Sequence, residues 1–119
     1  MKKILIVDDE AVVRNYVRRA LASRGFDVEE AAGGGEALAK LAAGAYDALI
    51  CDLKMPDMRG EEVIKKAAAL RPGMKLIVIT GSVSDVPDPV APGVKADGCL
   101  IKPFGIGEIR DLVASLLPA

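Results

Sequence analysis

The chain has no histidine, and its two cysteines, Cys51 and Cys99, stand apart with no CxxC spacing. Without imidazoles or a paired thiol there is no donor set for a zinc centre. Each cysteine lies inside an apolar segment, and both read as reduced core residues of a cytoplasmic protein. Long apolar runs are missing too. Met1-Lys2-Lys3 followed by Ile4 to Val7 superficially resembles the start of a signal peptide, but the run is short and acids follow it. No other run has the length to span a bilayer, so no membrane partner is expected. An excess of either charge is absent as well: 16 Lys and Arg against 17 Asp and Glu leave a net charge of -1. That balance removes any general attraction to nucleic acid or to an anionic surface. With no linker, charge block or low-complexity tract, the 119 residues read as one domain, residues 1 to 119, with one core.

What is present is an alternation. Apolar runs of strand length at Lys3 to Asp8, Asp27 to Ala31, Ala48 to Cys51, Lys75 to Thr80 and Gly98 to Ile101 are separated by segments of helical period. Val13, Val17, Ala20 and Leu21 mark one face of a first helix that stops at Gly25, a natural left-handed cap. Glu36 to Ala43 and Glu61 to Leu70 repeat the pattern, closed by Gly44 and by Pro72-Gly73. Ile109, Leu112, Val113, Leu116 and Leu117 form the apolar stripe of a last helix, after a Pro103-Phe104-Gly105 turn. This is the signature of an α/β fold: a parallel sheet covered by helices on both faces, with right-handed crossovers. In such a sheet ligands bind beyond the carboxyl ends of the strands, where the strand order reverses.

Polar residues at those ends are Asp8-Asp9 after the first strand, Asp52 after the third, Thr80 after the fourth and Lys102 after the fifth. The stretch ILIVDDE ends in three consecutive acids, so something must offset their repulsion. If Asp8, Asp9 and Asp52 converge, a hard divalent cation is the expected compensation, and Mg2+ suits few carboxylates and a phosphate partner better than Ca2+ does. Asp52 is also a candidate nucleophile toward a phosphoryl donor. Lys102 would neutralise phosphoryl oxygens, and the Thr80 hydroxyl would donate to the same group. Each residue has a plainer role available: Asp8 or Asp9 as a helix cap, Asp52 in an Asx-turn, Thr80 as a β-former, Lys102 as a solvated side chain. Four complementary positions at four strand ends together point to a site.

The acid pair in ILIVDDE, the segment ICDLKMPDMRG, the hydroxyl ending LIVIT and the segment LIKPF together resemble the receiver domain of bacterial two-component response regulators, of the single-domain chemotaxis-regulator kind. The resemblance spans essentially the whole chain. It implies a flavodoxin-like, doubly wound five-stranded parallel sheet in the order 2-1-3-4-5. It further implies that Asp52 accepts a phosphoryl group from a sensor histidine kinase, a phosphotransfer protein or a small phosphodonor. Asp9 would ligate Mg2+ directly and Asp8 largely through water, with the Lys54 backbone carbonyl as a further ligand. Thr80 would turn toward the phosphoryl group and Lys102 would pair with it across a Lys102-Pro103 peptide that is typically cis in this family. Such a chain catalyses only its own phosphorylation and dephosphorylation. It would signal to a downstream protein, with no direct contact to nucleic acid, and act through protein contacts or as a piece of a longer protein.

Two departures stand out. Cys99 occupies the place where relatives carry a Tyr or Phe that swings inward on activation, and a thiol cannot perform that switch. Residues 84 to 93, where relatives place their fourth helix, contain Pro87, Pro89 and Pro92. An interior proline costs a helix about 3 kcal/mol and drives its predecessor out of helical backbone. A loop or a one-turn stub is therefore expected there, either permanently irregular or ordering against Thr80 on phosphorylation. Lys54 and Ser82 lie where the family tunes acyl-phosphate hydrolysis. A phosphatase with an aspartate nucleophile would carry an acid two residues after it, where this chain has Lys54. A flavin module on the same fold would carry a Ser/Thr/Gly-rich phosphate loop after the first strand, which is absent. The remaining alternative is a pseudo-receiver that keeps the fold as an interaction surface without being phosphorylated.

Overall fold

The computed structural model describes residues 1 to 118. In chain order the elements are β1 (Lys3–Val7), α1 (Ala11–Ala22), β2 (Asp27–Ala31), α2 (Gly34–Ala43), β3 (Ala48–Asp52), α3 (Gly60–Leu70), β4 (Lys75–Thr80), a 3-10 turn (Val83–Asp85), β5 (Gly98–Ile101) and α4 (Ile106–Leu116). All strand pairs are parallel, and the sheet order is β2-β1-β3-β4-β5. The flavodoxin-like fold expected from the sequence is the fold observed.

The strands read as near-continuous apolar runs because both faces of the sheet are covered. Successive side chains alternate between the two covers. Leu5, Val7, Leu49, Cys51, Leu76 and Val78 pack under α2 and α3 with Leu41, Val63 and Ile64. Ile4, Ile6, Ala48, Ile50, Ile77 and Ile79 pack under α1 and α4 with Val17, Leu21, Ile109 and Val113. Each fully buried Ile or Leu contributes roughly 1.5–3 kcal/mol relative to an exposed one, which ties the strand ends firmly in place. Among the described residues no helix is long and apolar enough to cross a membrane.

Boundaries shift by a residue or two from the sequence expectation. β1 ends at Val7 and β3 extends to Asp52; α2 and α3 begin at Gly34 and Gly60, so both open on glycine rather than on the following acid. α1 ends at Ala22, ahead of Gly25, whose N–H reaches the Ala22 carbonyl at 3.0 Å with a φ of +87°.

The proline-rich segment behaves as its composition dictates. Among the described residues between β4 and β5, the 3-10 turn Val83–Asp85 is the only helical turn, and an isolated antiparallel bridge joins Ala91 and Val94. The Asp88-Pro89 and Lys102-Pro103 peptides are cis. One expectation fails: Cys51 is buried, but Cys99 is exposed. β5 is the edge strand, and its Leu100 packs toward α1 and α4, so alternation points Cys99 and Ile101 to the other face. The loop buries Val90 in the core on this side of the sheet but raises no helix over β5, and Ile101 is 41% exposed.

Candidate functional site

The strand order reverses between β1 and β3, and the carboxylates stand at that edge. Asp8 follows β1 directly. Its N–H donates to the Ala31 carbonyl at 3.2 Å, and Arg14 Nη1 donates to its carbonyl at 2.6 Å, so its backbone is pinned from two elements. The carboxylate is fully inaccessible to solvent. Oδ1 accepts the Glu10 N–H at 2.9 Å. Oδ2 lies 3.2 Å from Lys102 Nζ, close enough for ion pairing, yet has no aligned hydrogen-bond partner.

Asp52 is the last residue of β3 and 6% exposed. Oδ1 accepts the Lys54 N–H at 3.1 Å, and Oδ2 accepts from Lys102 Nζ at 3.2 Å. The same ammonium donates to Glu10 Oε1 at 2.9 Å. Lys102 is steered there from β4, its N–H donating to the Thr80 carbonyl at 2.8 Å. One cation therefore serves three carboxylates.

Burial raises the Asp8 carboxyl above its ordinary range, and the neighbouring Asp52 adds to this, against the Glu10 N–H and Lys102, which lower it. For Lys102, burial alone would lower the ammonium; the Glu10 hydrogen bond and the charges of Asp8 and Asp52 outweigh it and raise the group. The lysine is thus held as a cation. Asp8, Asp9, Glu10 and Asp52 each offer a carboxylate oxygen, and these oxygens lie within 4.8 Å of one another. A buried anionic oxygen with no hydrogen bond is costly, and a hard divalent cation with oxygen ligands is the matching compensation. The donor set fits Mg2+.

Asp8, Asp9, Asp52 and Lys102 are thus brought together. Thr80 reaches the same edge, 3% exposed, with its hydroxyl engaged by its own loop: it donates to the Ser82 carbonyl at 3.0 Å and accepts the Ser82 N–H at 3.3 Å. The Lys54 side chain pairs with Asp85 Oδ2 at 3.4 Å, tying the segment after β3 to the 3-10 turn. Neither Asp8 nor Asp9 caps α1, whose N-cap is Glu10 without a side-chain bond. Asp8 and Asp52 instead each accept the N–H two residues on, so the Asx-turn reading of Asp52 and its place in the cluster hold together. The sequence reading gave Glu10 no role, although it is the third acid of ILIVDDE. Its partner, Lys102, is 92 positions away.

Residues 4 to 114 match the family model described as the response regulator receiver domain. The chain belongs to that family. This receiver domain is 35% identical over 115 residues to response regulator MprA of Mycobacterium avium (strain 104), across 97% of this chain and 50% of the relative. It spans about half the length of the curated relatives it matches. Among solved structures it resembles chemotaxis protein CheY4 of Vibrio cholerae, with a TM-score of 0.90 and 33% identity over 98% of this chain and 99% of that one. A CheY-like receiver domain protein of Methanospirillum hungatei JF-1 gives 0.89 and 36%, covering 97% and 92%. Response regulator TrrA of Thermotoga maritima, solved in complex with Mg2+ and BeF, gives 0.88 and 33%, covering 98% and 100%. The receiver domain places this chain in two-component signal transduction.

Proposed function

We propose that this receiver domain is a phosphoacceptor switch in the cytoplasm, taking a phosphoryl group onto Asp52 from a sensor histidine kinase, a phosphotransfer protein or a small phosphodonor. A carboxylate oxygen of Asp52 forms the new P–O bond as the bond from phosphorus to the donor atom breaks, its electron pair leaving with the donor. The product is an acyl phosphate, and its hydrolysis resets the chain; no other substrate is turned over.

Mg2+, held by the carboxylates of Asp8, Asp9 and Asp52 and the Lys54 backbone carbonyl, would offset the clustered acids and the charge on the transferring phosphoryl group. Lys102 exchanges its carboxylate partners for a phosphoryl oxygen, and the Thr80 hydroxyl leaves Ser82 for another. Those exchanges alter the segment after β4, and with it the surface offered to a downstream protein.

The observation that carries this reading is the single Lys102 ammonium 3.2 Å from both Asp8 Oδ2 and Asp52 Oδ2, facing a buried carboxylate oxygen that has no hydrogen bond. The test is intact mass after incubation with a small phosphodonor, with and without Mg2+, on the natural chain and on Asp52→Asn. One Mg2+-dependent phosphoryl adduct, lost in the variant, is expected. No adduct, together with no Mg2+ binding, would overturn the reading in favour of a pseudo-receiver.

A further inference from the structure

The N-terminus of α2 has no cap of its own. Gly33 holds the N-cap position in extended backbone, φ -166° and ψ 178°, and brings no side chain to it. The first N–H groups of a helix lack intrahelical partners, and a cap side chain usually satisfies them. Here the cap comes from elsewhere: the Gly34 N–H donates to Asp57 Oδ1 and the Gly35 N–H to Asp57 Oδ2, each at 3.2 Å. These two amides hold the Asp57 carboxyl below its ordinary range, as expected for an acceptor at a helix N-terminus.

Asp57 belongs to the segment between β3 and α3, which starts beside Asp52. The approach to α2 is tight. A Cβ on Gly33 would lie 2.8 and 2.9 Å from the Asp57 carboxylate oxygens, and one on Gly34 would lie 2.8 Å from Val63 Cγ2 and 2.9 Å from Met58 Cβ. The far end of the segment is equally close to the acceptor strand. The Gly60 N–H donates to the Leu53 carbonyl at 2.9 Å, and a Cβ on Gly60 would collide with the Asp52 carbonyl oxygen. Residues 53 to 59 are therefore held at several points, among them the Leu53 N–H on the Ile79 carbonyl at 3.1 Å, the Lys54 N–H on Asp52 Oδ1, the Gly60 N–H on the Leu53 carbonyl, and Asp57 on α2.

We propose that Asp57 is a positioning residue for the phosphoryl site: by capping α2 from the neighbouring segment it clamps residues 53 to 59 and holds the Lys54 backbone against Asp52. The inference rests on the proposed function, in which the Lys54 carbonyl helps to hold Mg2+. It differs from a purely structural cap in what a local cap would repair. Gly33→Ser puts a hydroxyl at the N-cap of α2, and combining it with Asp57→Ala removes the carboxylate that the new side chain would meet. That double variant has a capped helix and an untethered segment.

The experiment titrates Mg2+ calorimetrically into the natural chain, Asp57→Ala and the double variant, and follows amide exchange across residues 53 to 59 and Tm in each. Asp57→Ala is expected to weaken Mg2+ binding on the order of tenfold, the lower end for losing a group that orients a metal ligand. Its amides in this segment exchange faster. The double variant regains Tm while Mg2+ binding and exchange stay impaired. Unchanged Mg2+ binding in Asp57→Ala, or recovery of both Tm and binding in the double variant, would show a cap and nothing more. If the natural chain itself binds no Mg2+, the metal reading fails separately, and exchange decides the clamp: protection lost in the double variant supports it, protection retained overturns it. Should Asp57→Ala not fold, the double variant and Asp57→Asn carry the same comparison.

Discussion

Removing the Lys102 ammonium would leave Asp8 and Asp52 facing one another with no cation between them. Breaking a buried ion pair by taking one partner is strongly destabilising, because the other charge stays buried. Lys102 is partly solvated, so Lys102→Ala is expected to cost about 2 kcal/mol at neutral pH without Mg2+, measured by urea denaturation. The pH dependence follows from Asp8. Its carboxyl titrates above 3.8 in the folded chain, so between that value and its raised one the folded state binds a proton that the unfolded state lacks. Stability contributed by Asp8 is therefore present at low pH and lost as pH rises through that window. The penalty of Lys102→Ala should shrink as pH falls below the same window; a penalty that is constant with pH would show that Asp8 is not the group being compensated. At this scale the sequence exposed Asp8, Asp52 and Lys102 because each lies at or just beyond the carboxyl end of a strand. It did not expose the exposed setting of Cys99, because an apolar strand pattern does not say whether a neighbour covers it.

At the scale of elements, the missing helix between β4 and β5 was legible because proline acts locally: it removes an N–H and constrains the residue before it whatever surrounds it. What replaces the helix was not legible. The segment packs Val90, and partly Val86, Val94 and Ala96, against the sheet, while Lys54 and Asp85 link it to the segment after β3. That exposed ion pair is worth at most about 1 kcal/mol, so it marks a weak contact rather than a lock. If Asp52 is phosphorylated as proposed, amide exchange across residues 82 to 95 is expected to change, because the segment begins at Ser82, which holds the Thr80 hydroxyl. Identical exchange with and without the phosphoryl group would place the output surface elsewhere.

For the molecule as a whole, a doubly wound parallel sheet collects strand ends from distant parts of the chain on one edge, at a stability cost where those ends are acids. Ligation of Mg2+ by the folded state alone raises stability by about 2.7 kcal/mol at a hundredfold excess over Kd. Natural chain and Asp8→Asn are expected to differ in opposite senses. Without Mg2+ the variant is the more stable, by about 1 kcal/mol, because it removes a desolvated charge beside Asp52. With Mg2+ the natural chain gains in Tm and the variant gains little. Thermal denaturation across a Mg2+ series checks both, and an equal Mg2+ response in the two would remove Asp8 from the metal site.

The alternation of strands and helices, the covered sheet, the acids and lysine at the strand ends, and the break in helical pattern at the prolines are all legible in the order of the residues. All of these follow from local period and local backbone restriction. Tertiary structure alone decided which ends meet and what partners them. Glu10 joins Lys102 across 92 positions, Asp52 joins it across 50, and Asp57 caps a helix that begins 23 positions before it. Those partnerships depend on packing two covers onto one sheet and on glycines at 33 and 34, which admit neighbouring side chains, and at 60, which admits a neighbouring backbone, and periodicity carries no information about either.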